Sequence, residues 1–336
     1  MAGIRPDQVA IYKKDMYKAE REGAALVEPK YPKVYKVISG IKGAGDKVTQ
    51  LLGAGRLERH TTEGQNINFK SPVQGWEALV NFHTYSAGIA LSKEAVEDTV
   101  KLGNLLKDLA NTWGKYGIIA KETLAGRAFN NGGDLLGDDR CFDGTHTGNT
   151  DSSGDLLYDS EPLFNLTGNT RTTKGGGTYY NSVAAYAGST MAVSDFEVLY
   201  NLQTSTNNRD EEDEIITNPA DTVLCRPGTP YFRADRIVKT PREKGLPGGE
   251  HNDISPYAGL ISNIIPWDYL EAAEDAYFVG KAQHEAFCFC ERQQQETNFF
   301  KNNDNNGYRA SVDMRFGLWF KPGAWKAWVR GGGSAA

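Results

Sequence analysis

One segment constrains this chain more than any other. From Ser92 to Phe129 the apolar residues Leu102, Leu105, Leu106, Leu109, Trp113, Tyr116, Ala120 and Leu124 step by three or four, the spacing of a single helical face. Ser92 stands ahead of the pattern as an N-cap. A helix running unbroken from Ser92 to Phe129 would be about 57 Å long at 1.5 Å per residue. Such an element organises the backbone around it. Gly103, Gly114 and Gly117 fall inside the run and predict a bend or a break.

The residues before this helix have little core of their own. Val9, Tyr12, Met16 and Ala19 give Gln8–Arg21 the pattern of a short amphipathic helix. Pro29-Lys30-Tyr31-Pro32 stops it, and Val34–Ile38 reads as a strand. Residues 1–55 therefore read as an arm that must lie against something else. Residues 56–91 read as a long hairpin or loop, polar at its tip (Arg59 to Asn66), with a returning run Ala78–Leu91.

The residues after the helix divide into three groups. Residues 130–181 are rich in Gly, Asn, Asp and Thr, and a loop of that length is usually functional or partly mobile. A mixed unit starts near Ser182. Within it Ser194-Asp195-Phe196-Glu197 reads as a capping box, Asp210–Glu214 as a solvated acidic loop, Thr222–Cys225 as a buried strand and Pro230–Lys239 as a helix. Strands are expected at Ala258–Ile265, Phe287–Arg292, Phe299–Phe300, Tyr308–Phe320 and Trp325–Val329. Runs of strands and helices in this order point to an α+β class, not a doubly wound sheet.

Composition excludes several functions. The 336 residues carry 37 Lys+Arg against 43 Asp+Glu, a net charge of −6, which argues against a dedicated nucleic-acid binder. With 39% apolar and 11% aromatic residues the chain is not disordered. No apolar run is long enough to span a bilayer, and the N-terminus has no apolar core of a secretory signal, so the expectation is a folded, cytosolic chain. Four cysteines fall at Cys141, Cys225, Cys288 and Cys290. Cys288-Phe289-Cys290 suits neither a zinc site nor a redox pair; in a strand the two share a face as small buried hydrophobes.

Motifs for chemistry are lacking. Gly175–Gly177 has no following Lys-Ser/Thr, there is no G-x-S-x-G or H-E-x-x-H, and His60, His83, His146, His251 and His284 are scattered. Asn302-Asn303-Asp304-Asn305-Asn306-Gly307 with Asp313 imitates the spacing of a calcium loop, but its first residue is Asn and its last Asp, and a polar hairpin turn accounts for it better. Arg233, Arg236, Lys239, Arg242 and Lys244 form one basic cluster, read as a solvated face, with the run 210–214 of an adjacent copy as a candidate mate. No catalytic, cofactor-binding or metal-ligating residue is assigned.

A resemblance gives these parts a common meaning. Ile89-Ala90-Leu91-Ser92-Lys93-Glu94-Ala95-Val96-Glu97-Asp98, at the end of a returning strand, resembles the entry to the spine helix of tailed-phage major capsid proteins of the Hong Kong 97-type fold, most closely the Mu-like major head subunit branch. Asp221-Thr222-Val223-Leu224-Cys225-Arg226-Pro227 before the helix Pro230–Lys239, and Asn252-Asp253-Ile254 before Ile264-Ile265-Pro266, are similar to the axial domain of that family. The resemblance implies an N-terminal arm (1–55), an E-loop (56–91), and a peripheral domain (92–181 and 285–322). The peripheral domain would hold the spine helix 92–129, a loop-rich insertion 130–181 and a β-ribbon. An axial domain (182–284 and 323–336) completes the set. It further implies copies of the chain as main partner, in hexamers and pentamers closing an icosahedral shell around double-stranded DNA. A separate scaffolding protein, a portal and a decoration protein are further implied partners, with no membrane and no cofactor. The location implied is a virion capsid assembled in the host cytoplasm.

Some members of this fold cross-link subunits through a Lys–Asn isopeptide bond. Lys70, one of Asn302, Asn303, Asn305 and Asn306, and Glu291 or Glu296 as base are the residues available here, and a plain exposed lysine is the favoured reading of Lys70. Two other functions fit the same sequence. One is an encapsulin-like nanocompartment shell; the other is a tail or adhesin protein presenting 130–181 to a ligand.

Overall fold

A computed structural model describes residues 6–41, 47–52, 71–80, 82–92, 102–130, 159, 161, 163–165, 170–173, 175–183, 191–239, 257–270, 276–301 and 307–332. The elements in chain order are helices α1 (Pro6–Ala25) and α2 (Tyr31–Val34), strands β1 (Tyr35–Ser39), β2 (Lys47–Leu52), β3 (Val73–Leu79) and β4 (His83–Leu91), and the long helix α3 (Leu102–Asn130). Short strands β5 (Arg171–Thr172), β6 (Thr178–Tyr179) and β7 (Ser182–Val183) come next, then α4 (Val193–Asn201), β8 (Thr222–Cys225), α5 (Thr229–Lys239), β9 (Asn263–Pro266) and β10 (Tyr277–Gly280). The long strands β11 (His284–Lys301) and β12 (Tyr308–Phe320) and the closing β13 (Trp328–Gly331) complete the chain.

Two sheets carry the molecule. Four strands in the order β1-β11-β12-β4 form one, with β1 parallel to β11 and the other pairs antiparallel; β7-β13-β10-β8-β9 form the other. β2 and β3 pair as a separate two-stranded ribbon, and β5 with β6 as a minimal one. Alternation explains β12: Tyr308, Ala310, Val312, Met314 and Phe316 turn inward on one face. Cys288 and Cys290 lie fully buried among Phe287 and Phe289 of β11, as their spacing predicted.

α3 lies along the ribbon of β11 and β12, and α1 lies along α3. Met16 and Ala19 of α1 pack with Leu102, Leu106 and Ala110 of α3 and with Phe299 and Tyr308 of the ribbon. A second core joins the inner end of α3 (Leu124, Ala128, Phe129) to Trp267, Phe278, Phe287, Trp325 and Trp328. A third lies on the other side of the five-stranded sheet beneath α4 and α5.

The glycines of α3 correct the expectation of a break. The helix runs unbroken over Leu102–Asn130. A Cβ on Gly114 would sit 2.1 Å from the Glu20 carbonyl oxygen of α1, and one on Gly23 of α1 would sit 2.1 Å from the Asn111 carbonyl oxygen. These two positions lack side chains so that two helix backbones can touch, and the packing gained outweighs the propensity lost.

Other expectations shift locally. The run Ala78–Leu91 is not one strand: it divides at the buried Val80 into β3 and β4, which belong to different sheets. Pro32 sits in the first turn of α2, where its missing N–H costs nothing, so the stop signal is itself a helical turn. α4 begins at Val193, and the Asp195 carboxylate accepts the N–H of the preceding Ala192 at 2.7 Å, half of a box that alanine cannot complete, so neither Ser194 nor Glu197 is the capping residue. Ala258–Ile265 is mostly turn ahead of β9, and Trp325 lies in a 3₁₀ turn (Ala324–Ala327) ahead of β13. The helical pattern of α1, the strand β8 and the helix α5 are found where expected, and Ser92 comes directly after β4 with residues 93–101 outside the described set.

Candidate assembly surfaces

The inner half of α3 is a polar joint. Glu122, 1% exposed, accepts hydrogen bonds from the Lys30 and Tyr31 N–H groups that open α2 and from the Trp267 indole. One carboxylate thus caps α2 and anchors the start of the five-stranded sheet's core. Lys121 pairs with Glu291 of β11 at 2.7 Å, with both side chains nearly buried, and the Tyr31 hydroxyl donates to the same carboxylate at 2.8 Å. Burial and the adjacent Glu291 carboxylate raise the Tyr31 phenol well above its usual range. Glu291, a candidate base for cross-linking on sequence grounds, is therefore engaged in a structural ion pair. Glu296 lies on the exposed side near the Tyr17 hydroxyl, at 3.5 Å. Lys70 and the asparagines at 302, 303, 305 and 306 lie outside the described residues.

The acidic run 210–214 is only partly solvated: Glu212 is exposed, but Glu211 is buried and Asp213 is drawn into contacts within the chain, so the sequence reading holds in part. Glu211 is 3% exposed and faces Lys326, 4% exposed, at 3.5 Å. Burial lowers the Lys326 pKa and the Glu211 carboxylate partly restores it. Asp213, in a left-handed conformation at φ 64°, accepts the Tyr179 hydroxyl at 2.7 Å, the Thr173 hydroxyl at 3.1 Å and the Gly177 N–H at 3.1 Å. Burial and this bond push the Tyr179 phenol up to about 12. Local composition marks five consecutive acids as solvent-loving, but here Glu211 faces a buried lysine and Asp213 satisfies the donors of Thr173, Gly177 and Tyr179. Glu211 and Asp213 are thus engaged within the chain, while Glu212 stays exposed. In that cluster Lys239 pairs with Asp235, Arg233 reaches the Met191 carbonyl at 3.4 Å, Arg236 is exposed, and Arg242 and Lys244 lie outside the described residues.

The described part of 159–181 is likewise built in. Arg171 pairs with Asp159 in a buried contact and stacks over Trp325 at 5.2 Å. Asn181, fully buried, donates to the carbonyls of Leu163, Trp325 and Trp328 at 2.7 to 3.2 Å. Residues 131–158 lie outside the described set. Sequence inspection missed these groups, yet a signal for two was available. Lys121 falls on the buried stripe of α3 after Ala110, Gly114 and Gly117, and Lys326 stands alone in Ala324-Trp325-Lys326-Ala327-Trp328-Val329. A lone cation in an apolar run predicts a buried carboxylate partner.

Titratable groups are tuned for burial. The Cys225 thiol is pushed up to about 12 by burial and Cys288 is raised for the same reason, which removes thiolate character. His284 is pushed down to about 4, first by burial. Its site is a partly covered strand start, not a free loop. His83 opens β4, and His60, His146, His251 and Cys141 lie outside the described residues. Among the described residues no cluster of three His, Cys, Asp or Glu side chains could hold a metal. Asp313 lies mid-strand in β12, opposite Glu296 and Ser86, and 302–306 are outside the described set. No described helix is long and apolar enough to cross a membrane.

What the surface offers is apolar side chains. Leu51 of β2 is 67% exposed, and Ile11, Leu105 and Tyr116 are exposed along α1 and α3. Val193, Val198, Phe232 and Leu260 are exposed around the five-stranded sheet. β2 alternates exposed and half-buried residues with none fully buried. Among the described residues its ribbon touches the main core through Val48, Trp76 and Ala78.

No family model matches the chain. No curated protein matches it either. Solved structures do. The capsid of an empty GTA particle superposes with a TM-score of 0.52 at 12% identity, covering 93% of this chain and 97% of that one. Mycobacterium phage Patience gives a TM-score of 0.50 at 12% identity, covering 100% and 91%. The virus-like particle from Pyrococcus furiosus gives 0.50 at 10% identity, covering 95% and 98%. At these identities the likeness is one of fold, and it extends over nearly the whole of each chain.

Proposed function

We propose that this chain, which has the Hong Kong 97-type capsid fold, is the major capsid (head) protein of a tailed bacteriophage. Copies associate through hexamers and pentamers into an icosahedral shell that encloses double-stranded DNA. The observation that carries this reading is the fold-wide likeness to capsid subunits. It is joined to a β2–β3 ribbon with no core of its own and to exposed apolar residues on both α1–α3 and the five-stranded sheet. A two-stranded ribbon is marginal alone in water and is stabilised by packing against another surface. In this reading the domains are the arm (1–55), E-loop (56–91), peripheral domain (92–181 and 285–322) and axial domain (182–284 and 323–336). The protein acts without catalysis. Its partners are further copies of itself, with a separate scaffolding protein, a portal, a decoration protein and packaged DNA nearby, in virions assembled in the host cytoplasm. A net charge of −6 suits a wall that holds DNA without adhering to it.

Negative-stain electron microscopy of the chain, expressed alone and with its genomic neighbours, tests the proposal. Closed shells or capsomer rings of uniform size are expected. A monodisperse monomer in both preparations would contradict it.

A further inference from the structure

Where the four-stranded sheet, the β2–β3 ribbon and the five-stranded unit converge, a cavity of about 750 Å³ opens. Lys36 of β1, Lys281 of the turn before β11 and Lys321 just past β12 line it, together with Thr217, Asn218, Gln283 and His284. Among the described residues Glu285 is the one acid in the lining. Among the described residues no ion pair engages Lys36, Lys281 or Lys321; Lys321 lies over the Trp319 ring at 4.5 Å. Three ammonium groups with one carboxylate make a concave positive site on a chain that is acidic overall. His284 is held low by burial and by Lys281 against the pull of Glu285, with Lys326 and Lys36 adding to the effect. The imidazole therefore stays neutral at pH 7 and presents a hydrogen-bonding group beside the cations.

We propose that this cavity binds a phosphate-bearing anion. The volume lies within the range of small-molecule sites, about 300–1,000 Å³. Among the described residues no arginine lines it, so an anion would be held by separate point charges and not by the planar fork that grips carboxylate and phosphate alike. Lysines act as separate point charges, which suits the several oxygens of a phosphate. Thr217 supplies a neutral hydroxyl beside them, while the Asn218 and Gln283 amides each donate to a backbone carbonyl, of Lys326 at 2.9 Å and of Pro32 at 2.8 Å, and so fix the wall of the cavity. An occupant would brace β1 and β2 against the 216–218 and 281–283 loops of the five-stranded unit. The inference is independent of whether the chain builds a shell.

Isothermal titration calorimetry of the full chain with inorganic tripolyphosphate at low salt tests it. One site per chain is expected, weakened about tenfold or more by Lys281→Gln with Lys321→Gln. It should be unchanged by Lys18→Gln, an exposed lysine of α1. As a check that needs no variant, tripolyphosphate should protect Lys281 and Lys321 of the native protein from amine labelling read by mass spectrometry. A short oligothymidylate that displaces tripolyphosphate would identify nucleic-acid phosphate as the source, and one that does not would identify a free phosphate ion. No heat, several sites per chain, equal weakening by Lys18→Gln, equal competition by citrate or absence of protection would each overturn the proposal.

Discussion

The molecule contains two antiparallel strand pairs of opposite character. β11 and β12 form a long ribbon covered by α3 and α1 and continued at its inner end by a core of Phe287, Phe289, Phe316 and Phe320. β2 and β3 form a shorter ribbon in which β2 alternates between exposed and half-buried residues, Leu51 faces solvent, and β3 is fully buried only at Ala78 among its described side chains. The first pair is completed within its own chain. The second is left largely uncovered by its own chain, and in the proposed shell a neighbouring copy would cover it. Pairing registers alone would not distinguish them; the difference lies in what covers each face.

Perturbing the covered half should cost the most. Lys326→Met leaves Glu211 buried and unpaired and should lower stability by about 3–5 kcal/mol, while adding Glu211→Leu should recover most of the loss. Chemical denaturation of both variants reads this, and equal instability of the double variant would show that the pair is not acting as a unit. Gly114→Val forces a side chain into the Glu20 carbonyl of α1 and should cost about 3 kcal/mol in the same assay. If it costs nothing, the α1–α3 contact is not part of the stable half.

A pH titration sharpens the comparison further. His284 has a folded pKa of about 4 against an ordinary value of 6.5. The unfolded chain therefore takes up the proton first as pH falls. The stability contributed by the neutral, buried imidazole is complete above pH 6.5 and is lost progressively between 6.5 and about 4. His284→Asn should flatten that part of the stability–pH curve relative to wild type, and an unchanged slope would place the titration elsewhere.

The smallest effect on stability is expected in the uncovered ribbon. Leu51→Glu changes an exposed residue and should shift the melting of the free subunit by less than about 0.5 kcal/mol. Its effect should appear in assembly, as loss of shells in electron micrographs. A large loss of subunit stability would mean that β2 already has its core.

The covered half was also the more legible in the sequence. The bounds of β12, the facing of Cys288 and Cys290, and the stripe of Met16 and Ala19 follow from period and composition, because burial on one face imposes both. The polar joints were not legible. Asp210–Glu214 reads as solvent-facing until Lys326, Tyr179 and Thr173, distant in sequence, are placed beside it. Gly114 reads as a helix breaker until Glu20 is seen against it. Both are cases where a partner far along the chain reverses a local preference. Exposed apolar residues such as Leu51 and Phe232 carry no local mark at all, since an isolated exposed apolar side chain is ordinary.

Hydrogen–deuterium exchange, compared between free subunits and assembled particles, tests the contrast most directly. Amides of 287–290 and 316–320 should exchange slowly in both states. Those of 47–52 and 73–79 should exchange quickly in the free subunit and at least about tenfold more slowly after assembly. If β2 and β3 are already as protected as β11 and β12 in the free subunit, or remain unprotected in the particle, the account of a subunit completed by its neighbours is wrong.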